Sequence, residues 1–200
     1  MNFQTYLQTV RQRAAPMDGP AQLEHAQIGM VTELGELGDL LKRKLAYGKP
    51  FDSVNLLEEC GDYFWYFVLY CDEKRIHMGT LEDMLVEHVK MPMEPETKRD
   101  NNTVLRLLAM ATGILAAEDI VEAGPAEVVD TVNSALGLVY VLLYRHGYTV
   151  AQCFVANDAK LELRNKGKAF DRDLTLNRDH GAERTVLEAH AAGQPDPAAG

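Results

Sequence analysis

Four carboxylates stand in two closely spaced pairs in the first third of the chain. Glu33 and Glu36 are three positions apart, and so are Glu59 and Asp62. In a helix, residues three positions apart lie on one face, so each pair would present two carboxylates in the same direction. Carboxylate oxygens are the ligands that suit Mg²⁺ or Mn²⁺ best. The spacing therefore predicts a site for a hard divalent cation.

The apolar residues around both pairs predict that the acids point inward. Glu33 falls between Leu37 and Leu40 in the apolar stripe of its helix, and Glu59 and Asp62 lie among apolar and aromatic residues of the next one. One such pair alone is typical of a solvated helix face, but two pairs inside apolar stripes favour a metal site. Converging buried carboxylates repel one another and require a cation. A di-iron bundle would need a Glu-x-x-His pair, which the sequence lacks.

The segments between Gly and Pro residues carry helical periodicity and almost no strand-like alternation, which predicts an all-α bundle. Residues 1–188 are expected to form one domain, and residues 189–200, which are small, polar and rich in Pro, a disordered tail. Four glycines inside the acid-bearing helices predict close approach of a neighbouring helix or ligand: Gly29, Gly35, Gly38 and Gly61. The predicted helices are Phe3–Ala14, Leu23–Leu45, Val54–Cys71, Thr80–Val89, Thr103–Val121, Ala126–Arg145 and Thr149–Asn165.

An internal similarity suggests how these helices are arranged. Residues 30–39 resemble residues 110–119 at an offset of 80, and residues 69–70 match residues 143–144 at an offset of 74. A decayed duplication of a helical hairpin would explain both, and it would give a four-helix core. In this register the second copy has lost all four carboxylates. Chance similarity between two amphipathic helices is the alternative.

Charge and composition exclude several classes of protein. The 200 residues include 20 Lys plus Arg and 30 Asp plus Glu, a formal net charge of -10, which repels nucleic-acid backbones. An anionic substrate would need a bound cation to neutralise its charge. The three cysteines are an odd number without Cys-x-x-Cys spacing, which argues against disulfides and a thiolate zinc site. No secretory leader or long apolar segment is evident, so we expect a cytoplasmic protein that does not span a membrane.

The order of the motifs resembles one known family, the all-α nucleoside triphosphate pyrophosphohydrolases. This MazG-like group is related to the dimeric dUTPases, and the chain is most similar to its short phage-type members. The family pattern is Glu-x-x-Glu, a variable spacer and Glu-x-x-Asp, and here 22 residues separate Glu36 from Glu59. The similar segments are His25-Ala26, Glu33-Leu-Gly-Glu36-Leu-Gly-Asp39, Lys42, Tyr47-Gly-Lys-Pro50, Glu58-Glu-Cys-Gly-Asp62, Trp65-Tyr66 and Asn157-Asp-Ala-Lys160-Leu-Glu-Leu-Arg164.

The resemblance implies an activity, a cofactor and a set of roles. The reaction would be hydrolysis of a nucleoside triphosphate between the α and β phosphates, and members form homodimers or homotetramers. Two or more Mg²⁺ ions, with Mn²⁺ as a substitute, would be bound by the four acids: Glu33, Glu36, Glu59 and Asp62. Glu36, which lies nearest the edge of the apolar stripe, is the preferred candidate to orient or deprotonate the attacking water. Asn157 would bind phosphate or sugar, and Lys160 and Arg164 would neutralise the departing pyrophosphate, in preference to Lys90, which lies after the first hairpin.

Several alternatives stay open at the level of sequence. Without the family motif, Lys160 and Arg164 would be interpreted as an exposed helix surface. The aromatic residues 63–70 either stack on a base or form core. The base is open among dUTP, dCTP, dGTP, dATP and a guanosine alarmone, with dGTP suggested only by analogy to phage-related members. The alternative function is a non-catalytic helical interaction module that keeps the fold.

Overall fold

The computed structural model describes residues 1–76, 101–117, 119, 122, 125–168 and 170–192, with no side chains at 101–102 and 125–133. Within these residues all regular structure is helical, which confirms the predicted all-α class. The helices are α1 Phe3–Arg13, α2 Gly19–Tyr47, α3 Ser53–Glu73, α4 Asn101–Ala117, α5 Pro125–Arg145, α6 Val150–Asn165, α7 Arg172–Leu176 and α8 His180–Ala191.

Local signals define the two helices that carry the acids. The Asp18 side chain accepts a hydrogen bond from the backbone N–H of Ala21 and so caps α2, and Asp52 caps α3 in the same way. Helix α2 ends at Gly48, which adopts the left-handed conformation with φ of 60°. Only residues 48–52 connect the two helices, so α2 and α3 pack as an antiparallel pair.

The core consists of four helices with further helices packed on one of them. Helix α2 contacts α3 and α4, α4 contacts α5, and α5 returns to contact α3, which closes a ring of four. Helices α1, α6 and α8 pack against α3, and α6 also contacts α1 and α8. This arrangement agrees with the four-helix core expected from the internal similarity. The duplication itself stays a prediction.

Close helix packing explains two of the four glycines. A Cβ atom at Gly29 would collide with the Tyr66 ring, and one at Gly61 would lie 3.1 Å from Cβ of Asn157. These two positions bring α2 against α3 and α3 against α6. None of the described helices comes close to Gly35, where a Cβ would have nothing within 4 Å, and Gly38 has only an ordinary contact with Leu105.

The C-terminal part of the chain differs from the prediction. The last helix predicted from the sequence ends at residue 165, whereas the structure has two more helices, α7 and α8, after it. Helix α8 is short and has few large apolar residues, but its Leu187 is buried and its Asp179 is an N-cap. The boundary predicted at residue 188 falls inside this helix, and residues 193–200 lie outside the described residues. The predicted helix 80–89 and Lys90 lie outside them as well.

Two expectations concern cysteines and membranes. All three cysteines, Cys60, Cys71 and Cys153, are buried free thiols. None of the helices in the described part of the chain has the length and apolar character needed to cross a lipid bilayer.

Candidate functional site

Three of the four predicted acids meet where α2 packs on α3. Glu33 comes from α2, and Glu59 and Asp62 come from α3. One carboxylate oxygen from each lies within 4.8 Å of the others. The Glu59 side chain is buried, whereas those of Glu33 and Asp62 are half-buried. The three oxygens are close enough to share one cation.

Glu36 does not join this cluster. Its side chain is exposed, so the expectation that all four acids point inward is wrong for this residue. Three positions along a helix turn the side chain by about 300°, and this rotation carries Glu36 from the buried stripe to its edge. It lines a groove of about 470 Å³ together with Asp39, Asn55 and Glu59. Glu36 is therefore placed beside the cluster, facing solvent.

Burial and mutual repulsion keep protons on this cluster when no cation is present. Burial, followed by the charges of Asp62 and Glu36, raises the pKa of Glu33 and the pKa of Glu59. Because these pKa values are raised to about 8 and about 9, at least one of the two carboxyl groups keeps its proton at neutral pH. A bound divalent cation would displace that proton.

Lys160 is a fully buried counter-ion for Asp62. Its ammonium nitrogen lies 2.7 and 2.6 Å from the two carboxylate oxygens of Asp62 and 3.4 Å from Oε1 of Glu58. Burial by itself would lower the pKa of Lys160, but the charges of Asp62 and Glu58 outweigh burial and raise that pKa. Because its side chain has no exposed surface, the interpretation of Lys160 as part of an exposed helix face is wrong.

Asn157 also faces Asp62. Its amide nitrogen donates to Oδ1 of Asp62 at 2.5 Å, and its side chain is 2% exposed. The structure therefore places Asn157 and Lys160, both predicted to bind substrate, against a cluster acid. Each lies one turn from the other on α6, which explains why the Asn-x-x-Lys spacing brings both to one carboxylate.

Arg164 is engaged by a residue that the sequence analysis missed. Its Nε and one terminal nitrogen donate to the two carboxylate oxygens of Glu183, each at 2.8 Å. Glu183 lies in the first turn of α8 and is buried. Its one sequence signal is the Asp179 cap, which marks the start of a helix that could present a carboxylate. Burial tends to lower the pKa of Arg164, but the Glu183 bond, with smaller effects of Asp62 and Glu58, raises it.

We expect Glu183→Gln to destabilise the fold by about 2 kcal/mol, because it leaves the largely buried Arg164 guanidinium without its charged partner. Urea unfolding measures this loss. Glu188→Gln is the matched control on α8, since Glu188 is exposed and pairs with Arg184 at the surface; that change should cost less than about 0.5 kcal/mol. Equal losses in the two variants would contradict the role of Glu183.

Aromatic residues of α3 divide between the core and the site. Tyr63 and Tyr70 are buried in the core, so these two residues are not available to stack on a base. Tyr66 lies over Gly29, with its ring edge-on to His25 at a centroid distance of 5.4 Å. Burial, and then the charges of Glu33 and Asp62, raises the pKa of Tyr66 to about 12. Tyr66 is thus the aromatic neighbour of the acidic cluster.

The donor set of the cluster fits a hard divalent cation. Its three described donors are all carboxylates, without His or Cys among them. Carboxylate oxygens suit Mg²⁺, Mn²⁺ or Ca²⁺, whereas structural zinc favours thiolate and imidazole. Burial, and after it the charges of neighbouring acids, raises the pKa values of Glu33 and Glu59, so a cation would be needed to keep both ionised at neutral pH. The residues present therefore fit the predicted metal class.

Comparison of the chain with protein-family models, curated proteins and solved structures gives no match. The resemblance of its motifs to the pyrophosphohydrolases therefore stays a prediction. What the structure adds is the spatial relation of Glu33, Glu59, Asp62, Asn157 and Lys160.

Proposed function

We propose that this protein is a Mg²⁺-dependent nucleoside triphosphate pyrophosphohydrolase. It would cleave a (d)NTP between the α and β phosphates to give a (d)NMP and pyrophosphate, with the cytoplasm as its compartment. The observation that carries the proposal is the meeting of Glu33, Glu59 and Asp62, next to the buried ammonium of Lys160. The order of motifs in the sequence, which resembles this enzyme family, supplies the reaction.

Glu33, Glu59 and Asp62 would hold Mg²⁺, and Mn²⁺ would substitute for it. When bound, the cation would neutralise phosphate charge and lower the pKa of a water molecule. The acids themselves cannot receive a triphosphate, because their charge and the net charge of -10 repel it. The groove next to Glu59, of about 470 Å³, has the size range of small-molecule sites and would admit the substrate.

The residues around the cluster would activate water, position Asp62 and neutralise the charge of the product. Glu36 lines the groove and is free of the cluster, so it is the candidate to orient or deprotonate the attacking water. Lys160 and Asn157 would act on Asp62 and hold it in place, a change from the substrate contacts expected for them. Arg164, oriented by Glu183, would neutralise charge on the departing pyrophosphate.

A product assay tests the reaction. The full chain is incubated with each common dNTP and NTP and with a guanosine alarmone, in the presence of Mg²⁺ or Mn²⁺, and the products are separated. We expect metal-dependent monophosphate and pyrophosphate, lost in Asp62→Asn, and the assay at the same time identifies the preferred base among the open candidates, dGTP included. Release of orthophosphate would show that a different bond is cleaved.

A second candidate is a non-catalytic helical interaction module. Large apolar side chains are exposed on α2 and α4, among them Ile28, Met110 and Ile114. Such exposure is typical of a surface that binds another protein. Thermal unfolding with Mg²⁺ separates the two candidates, because a cation at a hundredfold excess over its Kd stabilises the fold by about 2.7 kcal/mol. A module without a metal site would show no such shift.

The same apolar side chains support the expected homo-oligomer. We predict that Ile28→Glu combined with Ile114→Glu lowers the apparent mass in solution to that of one chain, 22.3 kDa, because a charge would be buried in the interface. Light scattering after size exclusion measures the mass. Leu176→Glu is the control, since Leu176 is exposed on α7, away from both helices. An unchanged mass in the double variant would place the interface elsewhere.

A further inference from the structure

Two hydrogen bonds, both made by Asn157, connect α1 with the acidic cluster. The Tyr6 hydroxyl donates to Oδ1 of Asn157 at 2.7 Å, and the amide nitrogen of Asn157 donates to Asp62. Both Tyr6 and Asn157 are buried, so bulk water does not compete for the bond between them. The Tyr6 ring is fixed by stacking on Phe154, with ring centroids 4.2 Å apart. The hydroxyl is therefore held in one place.

The two neighbours of Asn157 select one orientation of its amide. An ionised carboxylate only accepts hydrogen bonds, so the end that faces Asp62 must be the NH₂ group. The opposite end is then the carbonyl oxygen, which needs a donor, and the Tyr6 hydroxyl provides it. The other acceptor near that hydroxyl, the carbonyl of Gly61, is 3.5 Å away and makes a weaker contact.

Tyr6 keeps the proton that this role requires. Burial, and then the charge of Asp62, raises the pKa of Tyr6 well above its ordinary value. Without the hydroxyl, Oδ1 of Asn157 would be a buried acceptor with no donor, and the amide would gain by turning toward another partner. Such a turn would remove the hydrogen bond to Asp62.

From this geometry we infer that Tyr6 is a positioning residue for the metal site, which it controls through the orientation of the Asn157 amide. Asp62 provides one of the three oxygens that lie within 4.8 Å of one another, so a shift of its carboxylate changes the whole donor set. The inference rests on the proposed function and extends it to α1, where none of the predicted site residues lies.

The test compares Mn²⁺ binding by the full wild-type chain and by Tyr6→Phe, measured by titration calorimetry without nucleotide. We expect the Kd for Mn²⁺ to rise about tenfold, the lower end of what outer-shell partners of metal ligands contribute. Pyrophosphate release should fall at low Mn²⁺ and return at high Mn²⁺, with the KM for nucleotide unchanged. A role limited to packing would not respond to the Mn²⁺ concentration.

Tyr63→Phe is the matched control. Tyr63 is as fully buried as Tyr6, but its hydroxyl has no hydrogen-bond partner among the described residues. Circular dichroism and the thermal midpoint establish that both variants fold. We expect the Mn²⁺ affinity of Tyr63→Phe to equal that of the wild type. If Tyr6→Phe also retained wild-type affinity, the inference would be overturned.

A double-variant cycle tests whether Tyr6 acts through Asn157. In an Asn157→Ala chain, Tyr6→Phe should cause no further loss of Mn²⁺ affinity, and an additive loss would overturn the inference. The titration needs no turnover, so a wild type that binds Mn²⁺ and releases no pyrophosphate would refute the proposed reaction alone. A wild type that binds no Mn²⁺ would overturn both.

Discussion

Glu59→Gln should stabilise the metal-free protein and at the same time abolish pyrophosphate release. Burial, followed by the charges of Asp62, Glu36 and Glu33, raises the pKa of Glu59, so its ionised form is costly in the fold. Glutamine has the shape of the protonated acid and, like it, carries a hydrogen-bond donor and no charge. We expect a gain of about 2 kcal/mol at pH 8, seen as a thermal midpoint higher by roughly 5 °C.

The sign of the pH dependence follows from the direction of the shift. A carboxyl group whose pKa is raised by folding leaves stability intact below its ordinary pKa, near 4.5, and lowers stability as the pH rises toward the folded value. Wild type should therefore lose stability between pH 4.5 and pH 8 relative to Glu59→Gln. At pH 4.5 the two proteins should unfold at nearly the same temperature.

Loss of activity in the same variant links stability to function. With a ligand removed, we expect pyrophosphate release to fall by about 10³-fold, since the cation supplies several kcal/mol of charge stabilisation. Added Mg²⁺ should stabilise wild type but not the variant. Glu24→Gln is the control, because Glu24 is an exposed glutamate of α2 outside the cluster. A variant that is less stable than wild type at pH 8 would contradict the proposed burial of charge.

The acid-bearing hairpin could be predicted from sequence because its signals are local. Asp18 and Asp52 cap its helices, and Gly48 ends the first of them. The spacing of three positions fixes a common face, and the surrounding apolar residues bury it. One short connection then makes the helices antiparallel neighbours. These local features are enough to predict that Glu33 lies close to Glu59.

Glu36 marks the limit of this reasoning. Helical geometry gives its angle relative to Glu33, about 60° around the axis. It does not say whether that angle lies under a neighbouring helix or in an open groove. That outcome depends on how α3 crosses α2, and the close contact of Gly29 with the Tyr66 ring shows how closely the two helices pack.

Partners distant in sequence could not be predicted at all. Tyr6 lies 151 positions from Asn157, and Glu183 lies 19 positions from Arg164 on a short helix with few large apolar residues. Neither Tyr6 nor Glu183 is distinguished from its sequence neighbours by a motif or a spacing. Only the packing of α1 and α8 against α6 gives them a role, and tertiary packing of this kind leaves no local pattern.

Lys160→Met should destabilise the metal-free protein and make it bind Mg²⁺ more tightly. Methionine keeps the apolar stem but removes the ammonium group that contacts both oxygens of Asp62. Breaking a buried ion pair leaves an uncompensated charge, and we expect a loss of about 3 kcal/mol at pH 8 in urea unfolding. The loss should shrink at pH 4.5, because Glu33 and Glu59, whose pKa values are raised to about 8 and about 9, are then neutral and add no repulsion.

The gain in Mg²⁺ affinity distinguishes a counter-ion from a packing residue. Without Lys160 the cluster is more negative by one unit, so its attraction for a divalent cation increases. Added Mg²⁺ should therefore restore more stability to Lys160→Met than it adds to wild type. Lys168→Met, at an exposed lysine beyond α6, should change neither quantity. If Lys160→Met lost stability equally at both pH values and gained no response to Mg²⁺, Lys160 would serve the packing of α6 rather than the charge of the site. With the expected result, the buried lysine and the divalent cation compensate the same carboxylates, and this common task explains why a fully buried ammonium lies beside an acidic cluster.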